Sequence, residues 1–312
     1  MDKKNTIISW AILLPLVIVW GSSFILIKKS LIYFTPYEVG ILRIVITFLF
    51  LLPMAIRSLK KISKAHRNYL IISGAVGSFV PAFMFAIAQT EINSLLAGIL
   101  NSLTPLFTLI LGLSFFRFKA NWFNAIGVIV GLAGAMGLIY VSGGNQSFVF
   151  NIKYASLIIV ATVCYAFNVN FIKVYLKDVD SLTITALTFF YVGVPSIIYV
   201  ILFSDIPRKL FMDTSFLPGF GYISILAVAG TGIALIAFNK LIKISSPVFA
   251  SSVTYLIPVV AIIWGIIDGE IFKPIYILWF ILIIIGVLMV NTKKHNPFKM
   301  NTKGNSRLKN KN

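Results

Sequence analysis

The chain has 312 residues, of which 59% are hydrophobic and only 12% charged, with a mean hydropathy of +0.96; a soluble domain carries roughly 25% charged residues, so this composition excludes one and describes a protein integral to a membrane. A net charge of +18 would suggest nucleic acid in a soluble protein, but here Lys and Arg stand between apolar runs and in the last twenty residues. There they read as a topology signal, with membrane lipid and no nucleic acid as the partner.

A spanning helix needs about 20 apolar residues, and the sequence divides into ten such runs. The first covers 7–27; its length, and Trp20 with no small-residue cleavage pattern before Gly21, set it apart from a cleaved signal peptide. The second, 36–56, opens on a Thr35-Pro36 helix-start signal, and a basic linker at 57–67 follows. The third, 69–88, has Gly74, Gly77 and Pro81 in its path, and the fourth covers 94–116. The fifth, 122–141, carries Gly127, Gly131, Gly134 and Gly137 at spacings of three and four, which predicts a helix-packing seam. A Gly-, Asn- and Ser-containing connection at 142–153, with a formal glycosylation sequon at Asn145, marks a boundary. Beyond it lie runs at 155–172, 182–203, 219–239, 248–267 and 275–290, then a Lys- and Asn-rich tail at 292–312 that composition predicts to be disordered. Asp180 before Ser181 reads as the helix start of the seventh run. Cys164, the single cysteine, lies inside the sixth, so neither an internal disulfide nor a thiolate metal site is expected.

The fourth run, SLLAGILNSLTPLFTLILGLSFF, returns 153 positions later as PVFASSVTYLIPVVAIIWGIIDG, placing Ala97 on Ala250, Pro105 on Pro258 and Gly112 on Gly265. Gly77 falls on Gly230 at the same offset, and at an offset of 145 Trp20-Gly21 falls on Tyr165-Ala166 and Lys28 on Lys173. Two halves result, 7–141 and 154–291, each with five runs. Because five is odd, the copies enter the membrane with opposite orientation. The predicted fold class is an all-α membrane protein with ten transmembrane helices arranged as two inverted five-helix repeats. With the amino terminus inside, twenty of the 27 Lys and Arg residues fall on cytoplasmic segments and six outside, Arg43 lying within a span. That bias places both termini in the cytoplasm and the chain in the inner (plasma) membrane.

These residues resemble the EamA-like family of the drug/metabolite transporter superfamily. The likeness is carried by Trp20-Gly21-Ser22-Ser23-Phe24, Pro36 with Arg43, Thr104-Pro105 and its echo at Pro258, and Gly269-Glu270 closing the ninth run. The resemblance implies a carrier whose central cavity is lined by spans one, three, four, six, eight and nine, with five and ten at the periphery. Members export amino acids or other small metabolites, and relatives move nucleotide sugars, sugar phosphates or lipophilic cations. One mark is missing from the first half, where Arg117 stands opposite Glu270.

Polar groups in the hydrocarbon region are costly and mark partners, wet cavities or function. Arg43 is the costliest, at roughly 2.5–3.5 kcal/mol for a helix centre. It either bonds carbonyls of a broken neighbouring helix or meets an anionic group of the substrate. Trp20 and Ser23 share a face of the first run, where Ser22 and Ser23 either loosen the helix beside Gly21 or bond their own backbone. Asn101, Thr104 and Thr108 recur at helical spacing before and after Pro105, while Tyr165 and Asn168 share a face of the sixth run and Asn170 points elsewhere. Thr254 and Tyr255 precede Pro258 as Asn101 and Thr104 precede or adjoin Pro105. The substrate-contact candidates are therefore Trp20, Ser23, Arg43, Asn101, Thr104, Tyr165, Asn168, Thr254 and Tyr255, with backbone groups freed by the two prolines beside them. Gln89 and Asn239, near the ends of their runs, read as interfacial caps.

No Asp or Glu falls in the middle of a run, which disfavours proton-driven cation antiport, although Glu38 at a span mouth remains a titratable group. His66 and His295 have no carboxylate beside them and no Gly-rich phosphate loop is present, so neither an enzyme nor an ATP-driven pump is expected, nor any cofactor or metal. The expected function is a permease exporting a small polar metabolite such as an amino acid by alternating access. An importer or exchanger of a sugar phosphate or nucleoside is the alternative, with a membrane-embedded enzyme behind it. Oligomeric state is not legible.

Overall fold

The computed structural model describes residues 3–60, 62–116, 122–142, 148–245 and 247–291. Arg117, the Asn145 sequon and the tail at 292–312 lie outside them. Every regular element among the described residues is helical. Eight helices are long and apolar enough to cross a membrane, and two shorter apolar helices, Ile126–Leu138 and Ile275–Met289, lie within the fifth and tenth runs.

In chain order, α1 (Lys3–Gly21) and α2 (Ser23–Ser30) share the first span, parted at Ser22. The second span is α3 (Pro36–Leu59). The third joins α4 (Lys64–Gly74) to α5 (Val80–Ala88) through a π-helical turn, Ala75–Phe79. The fourth divides into α6 (Ser94–Asn101) and α7 (Thr104–Phe115), followed by α8 (Trp122–Ser142), α9 (Phe148–Tyr175) and α10 (Ser181–Phe203). After the short α11 (Ile206–Met212) come α12 (Leu217–Ala227), a second π-helical turn at Val228–Ile233, and α13 (Ala234–Ile244). The ninth run holds α14 (Pro247–Ser251), a 3₁₀ turn at Ser252–Tyr255 and α15 (Ile257–Ile267), and α16 (Ile275–Asn291) ends the described chain.

Local chemistry accounts for the starts of these helices. Thr35 caps α3 in a capping box: its hydroxyl accepts from Glu38 N–H, and the Glu38 carboxylate accepts from Thr35 N–H at 2.9 Å, with Pro36 preset for the first turn. Glu38 is further tied to Lys209 Nζ at 2.7 Å, so the carboxylate at this span mouth is already engaged. Asp180 caps α10 through Thr183 N–H and Asn93 caps α6 through Leu96 N–H, both at 2.9 Å.

The interruptions are what set this bundle apart. The two π turns start 153 positions apart, at Ala75 and Val228, and each contains a close-approach glycine. A side chain at Gly77 would run into Asn168, and a Cβ at Gly230 would lie 3.1 Å from Ser23 Oγ. Single π turns inside α-helices are rare and recur at functional sites. The fourth and ninth runs break at matching places too. Pro105 and Pro258 sit in the first turn of α7 and α15, where a missing N–H is harmless.

The glycines of α8 do form a seam. α8 packs along α16, where Gly134 faces Ile283 and the Trp279 carbonyl, Gly137 lies against the Trp279 ring, and a Cβ on Gly286 would stand 2.6 Å from Gly131 Cα. Ile18, Ile129 and Leu278, each more than half exposed, point away from such seams as lipid-facing side chains do.

Candidate functional site

Eight of the nine side chains expected from the sequence converge on one cavity: Trp20, Ser23, Arg43, Asn101, Thr104, Tyr165, Asn168 and Thr254 all line it. The space is narrow, about 100 Å³, against roughly 300–1,000 Å³ for a typical small-molecule cleft.

Most of the wall comes in matched pairs. At an offset of 145, Trp20 pairs with Tyr165, Ser23 with Asn168 and Phe24 with Val169; at 153, Gly77 pairs with Gly230, Ser78 with Thr231, Asn101 with Thr254 and Thr104 with Ile257. The contacts cross over, Ser23 facing Gly230 and Asn168 facing Gly77. Trp20 reaches the same π turn, its Nε1 donating to Gly230 O at 2.9 Å while its ring meets Phe238 edge-on at 4.8 Å between centroids.

Arg43 breaks the pairing. It is the one charged side chain lining the cavity among the described residues, and its counterpart at 145 is Thr188. Its Nε donates to Thr231 Oγ1 at 2.8 Å, and Tyr165 lies beside the guanidinium. Among the described residues no carboxylate pairs with it. The expectation that it bonds carbonyls of a broken helix is thus replaced by a hydroxyl of a π turn. Nearby on the wall, Asn101 Oδ1 is buried with no hydrogen-bond partner. The cavity offers a guanidinium donor without a counter-charge, one open amide acceptor, and aromatic walls at Trp20, Phe85 and Phe238.

Several expectations need correction. Tyr255 does not line the cavity and instead packs half-buried against the apolar core, because Ser252–Tyr255 winds as a 3₁₀ turn and rotates it off the α-helical face. Of the carbonyls freed by the two prolines, Asn101 O, four residues before Pro105, accepts from Thr104 Oγ1 at 2.7 Å, and at the other break Thr254 Oγ1 donates to Ser251 O at 2.9 Å. Thr108 is buried off the cavity and bonds Thr104 O. Asn239 is no interfacial cap: it is 4% exposed, lines the cavity and donates to Thr185 Oγ1. Gln89, 6% exposed, donates inward to Phe24 O at 2.8 Å. Ser22 and Ser23 both loosen the helix and bond their own backbone, at Ile18 O and Val19 O. Asn170 does point elsewhere, to Thr108 O.

Thr231, Ser78, Ser251 and Asn239 line the wall but are absent from the set expected from sequence. The offset that placed Gly77 on Gly230 also places Ser78 on Thr231, and that was the signal available for two of them.

Comparison with known proteins agrees with this architecture. A solved crystal structure superposes over 93% of this chain and 97% of its own with a TM-score of 0.64 at 16% identity, a likeness of fold alone. An uncharacterized transporter of Archaeoglobus fulgidus is 25% identical over 82% of this chain and 88% of its own length. The uncharacterized inner membrane transporter YedA of Escherichia coli K12 is 28% identical over 91% of this chain and 90% of its own. The EamA-like transporter family model matches twice, at 6–140 and 152–292, and the chain belongs to that family.

Proposed function

We propose that this membrane transporter is a secondary permease that exports a small polar metabolite bearing a carboxylate, an amino acid or a related compound, by alternating access around the central cavity. The observation that carries the reading is Arg43, a guanidinium on the cavity wall with no carboxylate partner among the described residues. Such a charge in a bundle interior is retained for a substrate or ion pathway, and a planar fork suits a carboxylate. Asn101 Oδ1 supplies an acceptor for a polar or ammonium hydrogen of the same ligand.

Two inverted five-helix halves, 7–141 and 154–291, joined at 142–153, fit the doubled family match, the paired π turns and the crossed contacts at Gly77 and Gly230. Rocking of one half on the other would widen the narrow cavity to one face and then the other. Both termini lie in the cytoplasm of an inner membrane in this reading, in keeping with the positive-inside bias.

The test is an untargeted comparison of spent medium from cells expressing the intact chain with cells expressing an Asn101→Leu, Trp20→Ala double variant at equal membrane abundance. A carboxylate-bearing metabolite enriched outside only with the intact chain is the expected result. An unchanged medium, together with uptake of a metabolite by reconstituted protein, would reverse the direction.

A further inference from the structure

The ends of three spans meet around two carboxylates outside the cavity. Glu270, its side chain 3% exposed, accepts from Lys28 Nζ at 2.8 Å and from the backbone N–H groups of Ser94 and Leu95 at 3.0 and 3.1 Å. Those amides begin α6 and have no partner within the helix, so a carboxylate there meets both their hydrogens and the positive helix end. Asp268 pairs with Lys28 at 2.7 Å and with Lys29. Gly269 stands between the two acids at φ +80°, a conformation that favours glycine. Gly265 leaves room for them, since a Cβ there would lie 2.7 Å from Glu270 Oε2.

Both helices held by this cluster contribute to the cavity wall. Lys28 belongs to α2, whose Ser23, Phe24 and Ile27 line it, and Ser94 opens α6, which ends in Asn101. Each has a break at its cavity end, α2 at Ser22 and α6 at 102–103, and each is tied at its far end to the 268–270 turn. Trp264 of α15 also donates to Ser22 Oγ at 2.8 Å, tying α15 to the break between α1 and α2. The matched position in the later half is built differently. Lys173 donates to three carbonyls, of Ile242, Lys243 and Ser245, at 2.9, 2.9 and 2.6 Å, and no carboxylate joins it among the described residues.

We propose that Lys28, Asp268 and Glu270 form an ion-pair latch that holds the cavity shut on its own face of the membrane, whereas the face served by Lys173 closes on neutral carbonyls and opens more readily. The resting carrier then opens away from the latch. Removing Lys28, itself 35% exposed, leaves the buried Glu270 carboxylate without its counter-charge, so a broken latch shifts the population toward the conformation open on that side. This rests on the two-faced carrier of the preceding section but not on its substrate or direction.

The test is labelling of a cavity cysteine by a membrane-impermeant maleimide, applied to intact cells and to inside-out vesicles. Val169, 2% exposed on the cavity wall, is replaced by Cys in a Cys164→Ser background. Lys28→Gln is expected to raise labelling from the latch face about tenfold and to lower it from the other, with Lys28→Arg leaving both rates unchanged. Where Lys28→Gln does not reach the membrane, Asp268→Asn, which spares the Glu270 bonds to α6, is read the same way. Unchanged labelling on both faces, or an equal rise on both, overturns the latch. Because no substrate is used, a failure of the metabolite comparison leaves this result standing, and the reverse also holds.

Discussion

Arg43 Nε donates to the hydroxyl of Thr231 at 2.8 Å although the two residues stand 188 positions apart. Thr231 in turn donates to Leu226 O, five residues back, at 2.9 Å. The π turn thus orients the hydroxyl, and the hydroxyl orients the guanidinium toward the cavity. From this chain we expect Thr231→Ser to retain transport and Thr231→Val to raise KM with kcat nearly unchanged. Arg43→Lys keeps a charge but loses the fork. A charge-assisted hydrogen bond contributes about 1.5–3 kcal/mol, so binding of a carboxylate substrate should weaken roughly 10- to 100-fold, read by titration of the purified protein.

Trp20→Phe keeps the ring against Phe238 but removes the Nε1 bond to Gly230 O. Interhelical side-chain hydrogen bonds in membranes contribute about 0.6 kcal/mol on average and up to about 1.7. A loss of stability in that range is expected in reversible detergent unfolding, with folded protein still in the membrane. A loss several times larger would mean that the indole supports more than this bond.

The α8–α16 seam should respond in stability and not in substrate contact. Gly286→Ala sets a methyl 2.6 Å from Gly131 Cα and 2.7 Å from Gly127 O, backbone atoms that cannot rotate aside. Overpacking of this kind costs about 1–3 kcal/mol. Thermal unfolding in detergent should fall accordingly, while the substrate affinity of the remaining folded protein stays at the parent value.

Lys28 and Lys29, hydrogen-bonded to Asp268, hold its carboxyl below the usual carboxylate range. A depressed acid stabilises the fold above its unfolded pKa of about 3.9 and loses that contribution as pH falls through the lower folded value. The stability gap between the parent and Asp268→Asn should therefore be full above about pH 4 and shrink below it. A gap that is constant through this window would show that the acid's charge contributes nothing.

Arg43, Asn101 and Trp20 are legible from sequence because an apolar run makes any polar or indole group conspicuous, and the cavity does collect them. The paired breaks were legible through Pro105 and Pro258. The π turns were not, because no residue type announces an i→i+5 turn; what stands against each comes from another span, Asn168 against Gly77 and Ser23 beside Gly230. Tyr255 was misplaced for a related reason. A 3₁₀ turn advances about 120° per residue against 100° for an α-helix, so four such residues carry a side chain off the face that α-helical counting assigns. Asn239 and Gln89 lie near helix ends in sequence yet are buried, each donating to a group on another span, Thr185 Oγ1 and Phe24 O.

The central claim is that Arg43 recognises the carboxylate of an exported metabolite. Its most direct test loads proteoliposomes with the carboxylate metabolites found in the spent-medium comparison and follows efflux through the parent chain and through Arg43→Gln at equal protein. Efflux of a carboxylate compound through the parent, reduced at least tenfold in the variant, is the predicted result. Equal efflux through both would contradict it, since the Arg43 charge on the cavity wall would then play no part in transport.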